Sequence, residues 1–249
     1  VRSSAASDVY KRQAAGLADD PGLHVHLTPG ALDNVAAPYI HQQKPRIAVL
    51  REQGVNSHVE MAYAFTEAGF EAYDVHMTDL QQGRANLKDF QGLVACGGFS
   101  YGDTLGAGKG WARSITFNHA LSDQFQDFFQ RPNTFALGVC NGCQMFAELA
   151  VLIPGTQDWP RFTANKSERF EARLSQVEVL DSPSLFFQGM AGSRLPIAVA
   201  HGEGYADFSE RGNPYKVLTA MRFTDHHGQA TQAYPFNPNG SPGGLTAVT

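Results

Sequence analysis

The chain has 249 residues, 43% of them hydrophobic, enough to bury a sizeable core as one domain or as one domain with a tail. A net charge of −5 with scattered basic residues argues against a nucleic-acid partner, and three cysteines fit a reducing compartment better than a disulfide framework. No apolar run approaches the ~20 residues of a membrane span and no signal-peptide core opens the chain, so a cytoplasmic protein without a membrane partner is expected.

Residues 1–13 (VRSSAASDVYKRQ) lack apolar periodicity and resemble translated adapter sequence, so they read as a disordered, non-native leader. Residues 14–45 are punctuated by Pro and Gly and read as a linker from an upstream domain. The domain proper is expected over 46–249. It opens with a strand at Ile47–Leu50 and a turn in which Asn56 or Ser57 caps a helix. That helix carries Val59, Ala62, Phe65 and Ala68 on one face and ends at Gly69. Ala72–His76 is a second strand, Asp79–Phe90 a polar connection with room for a helical turn, and Leu93–Cys96 a third strand. Trp111–Phe129 reads as one aromatic-rich helix whose apolar residues are packing rather than a cofactor box. Thr134–Val139 is a further strand, and from Gly142 helical spacing places Met145, Phe146 and Leu149 on one side. Beyond Ile153-Pro-Gly155 the spacing predicts strands at Phe170–Leu180 and Leu195–Ala200, forming an antiparallel extension. A strand pair is expected at Tyr215–Phe223 and Thr231–Tyr234, then a loop at Asn237–Gly244. Leu245–Thr249 reads as a strand cut short, so the chain is expected to be a fragment. The alternation of strands and helices predicts an α/β fold, a doubly wound sheet parallel at its centre, with that antiparallel extension.

In such sheets chemistry collects at the carboxyl ends of strands. Cys140 sits at one such end, between Gly138 and Gly142. The G-x-C-x-G spacing on a strand-to-helix turn is a nucleophile elbow with sulfur in place of a hydroxyl, and the helix terminus favours the thiolate. The bland alternative, a buried inert cysteine, does not explain the paired glycines. Cys140 and Cys143 also spell C-x-x-C, but a structural zinc site wants four ligands and only Cys96 remains, so no metal is expected and Cys143 is assigned to packing. A second strand end carries Gly97-Gly98-Phe99-Ser100-Tyr101-Gly102-Asp103. An acyl-transfer site needs two backbone N–H donors for its oxyanion. Asn141, following the nucleophile, and Gly98 are the candidates.

A cysteine nucleophile wants a histidine oriented by a carboxylate. Of the nine histidines, residue logic alone selects His201, at the end of the Leu195–Ala200 strand and two residues before Glu203.

From Asn34 to Thr249 the chain resembles the C-terminal glutaminase domain of the large, single-chain phosphoribosylformylglycinamidine synthases. The segments that carry the resemblance include RIAVLREQGVNSHVEMA, LVACGGFSYGDTLGAG, LGVCNGCQMF, SERFEARLSQVEVL, PIAVAHGEG, YPFNPNGSP and GLTAVT. It implies a class I glutamine amidotransferase-like, flavodoxin-like fold and a ligase that forms a C–N bond with glutamine as amido donor. Cys140 would attack the glutamine side-chain amide, form a glutamyl thioester and release ammonia to an upstream ATP-dependent synthetase domain of the same polypeptide. No cofactor is implied in the glutaminase domain itself; ATP and Mg²⁺ belong to the synthetase. The resemblance places the catalytic His and Glu in a P-H-P-E motif beyond Thr249, so residues 1–249 alone are expected to be inactive. It also moves His201 and Glu203 from the base to a supporting role near the pocket, where Gly97, Phe99 and Gln144 are further candidates for binding glutamine. A cysteine hydrolase of related fold and an inactive docking domain are the competing expectations.

Overall fold

The computed structural model describes residues 19–28 and 42–249. The expected leader at 1–13, most of the linker, and His41 lie outside the described residues. The chain divides into two compact units, the first holding described residues 42–163 and 208–212 and the second 19–28, 164–207 and 213–249.

The first unit is built on a four-stranded parallel sheet of order β2-β1-β3-β4, comprising β1 (Arg46–Arg51), β2 (Glu71–His76), β3 (Gly92–Ala95) and β4 (Phe135–Gly138). Successive residues of a strand point to opposite faces, and both faces are covered. Ile47, Val49 and Val94 pack with Phe65, Met61 and Ala62 of α1 (His58–Glu67). Ala48, Leu50, Leu93 and Ala95 pack with a larger cluster. Its helical members come from α2 (Met77–Gln81), α3 (Lys109–Thr116), α4 (His119–Gln130) and α5 (Asn141–Glu148). The doubly wound parallel sheet expected from the alternation is therefore present.

Three local expectations change. Val59 is 66% exposed, because α1 buries only the stripe around Phe65 against the sheet. The 79–90 connection contains the helical turn it had room for but is less polar in its packing than its sequence implies: Leu80 and Leu87 are buried, the latter in a 3-10 turn at Leu87–Asp89. The aromatic helix is two helices, broken where the Asn118 side chain accepts a hydrogen bond from the Leu121 amide at 3.2 Å, which is N-cap geometry. Phe117, at the break, is 82% exposed, whereas Trp111, Ile115, Leu121, Phe125 and Phe128 are core as expected.

A short strand β5 (Arg161–Thr163) closes the first unit's main run. Residues 208–212 join this unit through Arg211, which donates to the Ala147 carbonyl, and through Glu210, which pairs with Arg161. The second unit holds an antiparallel sheet of order β10-β9-β6-β7, with β6 (Glu171–Val179), β7 (Arg194–His201), β9 (Thr219–Phe223) and β10 (Leu245–Val248). A three-residue strand, β8 (Tyr205–Asp207), follows β7. Val177, Val199 and Phe223 form the buried cluster of this sheet. The antiparallel extension is thus present, but of the strand pair expected after it one member is shorter and the other is absent. Residues 215–218 turn instead, with the Lys216 and Val217 amides bonded to the Asn213 carbonyl. Residues 231–234 form no strand; the nearest pairing is a single Thr224–Ala230 bridge.

Residues 19–28, read from sequence as linker, lie along the edge strand β7. His26 and Arg194 exchange backbone hydrogen bonds at 2.8 and 2.7 Å, and Gln176 bonds both backbone groups of His24. Asp20 completes the attachment with a 2.7 Å contact to His226 Nδ1. The Gly22 amide, then His226, hold the Asp20 carboxyl below its ordinary range. A carboxyl depressed in the folded state stabilises above its unfolded pKa, and that stabilisation is lost as pH falls through the depressed value. Hydrogen exchange at the His26 and Thr28 amides should therefore accelerate below about pH 4. Asp20→Asn should abolish that acid-dependent component. Identical pH profiles in the two proteins would contradict this account of the attachment.

Candidate active site

Gly138, Cys140 and Gly142 span the β4–α5 turn. Cys140 takes φ 53° and ψ −113°, a conformation rarely adopted by a residue with a side chain. The geometry follows from how closely α5 starts against the sheet. A Cβ at position 142 would lie 2.0 Å from the Ala95 carbonyl oxygen, and one at 138 would lie 2.9 Å from the Cys143 Cα. Only glycine at both positions lets the chain reverse within the width of one strand, so the elbow read from spacing is present.

The β3 loop lies directly against the elbow. A Cβ on Gly97 would stand 3.3 Å from Cys140 Cβ and 3.8 Å from its Sγ. The Val139 amide extends the β3–β4 pairing to the Ala95 carbonyl at 3.0 Å, which fixes that approach. Gly97 also accepts from the Ser57 hydroxyl at 3.2 Å, so Ser57 at the start of α1 binds the loop rather than capping its own helix.

Asn141 has a part that residue spacing did not reveal. Its fully buried side chain accepts from the Ser100 amide at 3.1 Å and donates to Asp103 Oδ1 and Gln144 Oε1, each at 3.0 Å. One amide side chain thus ties both ends of the 100–103 turn to the first turn of α5. Gln144, a candidate for glutamine binding, is 6% exposed and committed to this clamp. The signal in the sequence was the short polar residues of SYGD beside C-N-G-C-Q, but nothing in it pairs them. Among the described residues, the Gly98 and Asn141 amides donate to no protein acceptor. Phe99 is different: its amide bonds the Gly54 carbonyl at 2.9 Å while its ring is 50% exposed.

The other two thiols are poor nucleophiles. Burial pushes Cys96 up to about 12, aided by Asp74 and Glu60, and burial with the nearby Cys140 pushes Cys143 up to about 12. None of the three is in a disulfide.

His201 and Glu203 belong to the second unit. The Asn165 side chain donates to the His201 carbonyl at 2.8 Å and accepts from the Gly204 amide at 2.9 Å, fixing this segment. Burial lowers the basicity of the His201 ring, and its buried Nδ1 meets no hydrogen-bond partner among the described residues. A base oriented through Nδ1 by a carboxylate is not what this ring presents. Among the described residues no cluster of three metal-ligating side chains occurs, and no helix is long and apolar enough to cross a membrane.

A family model described as a CobB/CobQ-like glutamine amidotransferase domain matches residues 44–249. Among solved structures, PurLQS from Thermotoga maritima superposes with a TM-score of 0.62 at 24% identity, covering 83% of this chain and 82% of that one. A glutamine amidotransferase from the same organism gives a TM-score of 0.44 at 16% identity over 76% and 71% of the two chains.

Proposed function

The chain belongs to the CobB/CobQ-like glutamine amidotransferase family, and from that premise we propose that it is the glutaminase of a phosphoribosylformylglycinamidine synthase, a ligase of purine biosynthesis. The observation that carries the reading is Cys140 on its strained elbow with the Gly97–Gly98 loop against its sulfur. The similarity to PurLQS in fold and the sequence segments quoted above support the more specific assignment.

In this reading the Cys140 thiolate attacks the glutamine side-chain carbonyl carbon, and the C=O electron pair moves onto oxygen. The Gly98 and Asn141 amides face that oxyanion. Collapse re-forms the carbonyl, breaks the C–N bond and leaves a glutamyl thioester, with the nitrogen protonated as it departs as ammonia. Water then adds to the thioester through a second oxyanion and releases glutamate and the thiol. Gly97 and Phe99 are assigned to holding the glutamine, and Gln144 to supporting them from the clamp. The proton transfers require an acid–base histidine, and His201, with its Nδ1 unsupported, is not given that part. The ammonia passes to a partner synthetase domain, where ATP and Mg²⁺ do their work. The domain acts in the cytoplasm without nucleic acid or membrane.

An electrophilic glutamine analogue tests the reading. It should label Cys140 well ahead of Cys143 and Cys96, whose thiols burial holds protonated at neutral pH. Peptide mapping that found the label on either of those two would overturn the assignment.

A further inference from the structure

Three consecutive residues after Ser100 adopt left-handed backbone angles: Tyr101 at φ 53°, Gly102 at φ 63° and Asp103 at φ 52°. Glycine takes that conformation freely, but a run containing two residues with side chains costs of order 1–2 kcal/mol at each. Such strain persists only where the surroundings hold it. The two strained side chains are both tied. Asp103 is bound by Asn141 at 3.0 Å, the clamp described above. Tyr101 donates its phenol to Glu52 Oε2 at 2.7 Å, while its amide donates to the Gln53 carbonyl at 2.9 Å.

Glu52 follows the last residue of β1 and is only 5% exposed. Its other oxygen accepts from the Gln53 amide at 2.8 Å and lies 3.5 Å from His76 Nε2. His76 Nδ1 accepts from the Thr78 amide at 3.2 Å, so its ring proton sits on Nε2, facing the carboxylate. With the Tyr101 phenol, the Gln53 amide and His76 Nε2 all facing it, the buried carboxylate is held as a rigid peg. The phenol, pushed up to about 12 by burial and by Glu52, remains a donor throughout the physiological range.

We infer that Tyr101 and Glu52 are positioning residues for the reaction, their bond holding the left-handed turn so that the Gly98 amide stays aimed at the oxyanion formed on Cys140. This rests on the glutaminase reading above. The loop from Gly97 to Asp103 is gripped from the elbow side by Asn141 and from the β1 side by Glu52. Releasing either grip lets Tyr101 or Asp103 relax toward right-handed angles, which turns the peptide planes upstream. Displacement of a donor by a fraction of an ångström removes most of its effect on the transition state, with little effect on ground-state binding.

The test uses the natural full-length protein with Tyr101→Phe, Glu52→Ala and the double variant. Tyr101→Phe should lower kcat for glutamine hydrolysis about 10-fold with KM nearly unchanged. Alkylation of Cys140 by iodoacetamide, a displacement at a saturated carbon that forms no oxyanion, should keep its wild-type rate. The double variant should be no slower than the slower single one, since both remove the same bond. Wild-type kcat in Tyr101→Phe, additive losses in the double variant, or a parallel fall in alkylation would each overturn the inference. Gly98→Val separates the two levels: if it is slow while Tyr101→Phe is not, the positioning role alone fails. If Gly98→Val is unimpaired, the oxyanion reading fails and the inference with it.

Discussion

Cys140→Ala in the natural full-length protein should abolish glutamine hydrolysis, with a loss on the order of 10⁴-fold or more, the scale seen when a covalent nucleophile is deleted. No other thiol can substitute. Cys96 is fully buried, and Cys143 is held protonated, up to about 12, by its own burial and by the nearby Cys140. Cys143→Ala, by contrast, removes a packing group and should change turnover by less than about tenfold while reducing stability by about 1 kcal/mol. Alanine at position 140 keeps the backbone φ of 53° at much the same strain, since both residues carry a Cβ, so the variant should fold and still bind glutamine. Amidination driven by added ammonia should survive, because it bypasses the thiol. Glutamine hydrolysis measured as ammonia release decides the matter: a Cys140→Ala protein with more than a few per cent of wild-type turnover would remove Cys140 from the chemistry.

Gly98→Val should lower glutamine-dependent kcat on the order of 10²-fold while KM changes far less, the signature of a donor that acts mainly in the transition state. The structural reason is lack of room. Gly98 sits at φ +142°, and a Cβ there would stand 2.6 Å from both the Gly54 carbonyl oxygen and the Val55 Cα. Those atoms are backbone and cannot swing aside, so the 97–99 segment must shift and carry its amide with it. Ammonia-dependent synthesis is again expected to be spared. Steady-state kinetics with glutamine and with ammonium salt, run in parallel, separate this outcome from general unfolding, which would depress both. Unchanged glutaminase kcat would place the oxyanion donors elsewhere.

The elbow was legible in the sequence because it is local. A strand, a turn and a helix within Thr134–Leu149 decide their own geometry, and Gly138 and Gly142 are required by atoms that β4, α5 and the adjacent β3 must bring there. The parallel pairing of β1–β4, though not their order in the sheet, was legible as well, since short strands linked through helices pair that way. Periodicity, however, reports which side of an element could be buried, not what arrives to cover it. Val59 fits the apolar stripe of α1 yet stays in solvent, while Leu80 and Leu87, in the 79–90 segment that reads as polar, are buried in the core. The docking of residues 19–28 on β7 rests on backbone bonds to Arg194 and side-chain bonds from Gln176 and His226, none of which leaves a pattern in the segment itself.

The supports of the reactive loop were out of reach for the same reason. Glu52 and Tyr101 are 49 positions apart, and Asn141 lies 41 and 38 positions from Ser100 and Asp103. The sequence by itself determined the Cys140 elbow and the glycine loop beside it, because each depends on neighbours within a few residues. The grip on that loop was decided only in the tertiary structure. A polar side chain costs little in solvent and becomes a specific clamp only when a distant segment buries it against one partner.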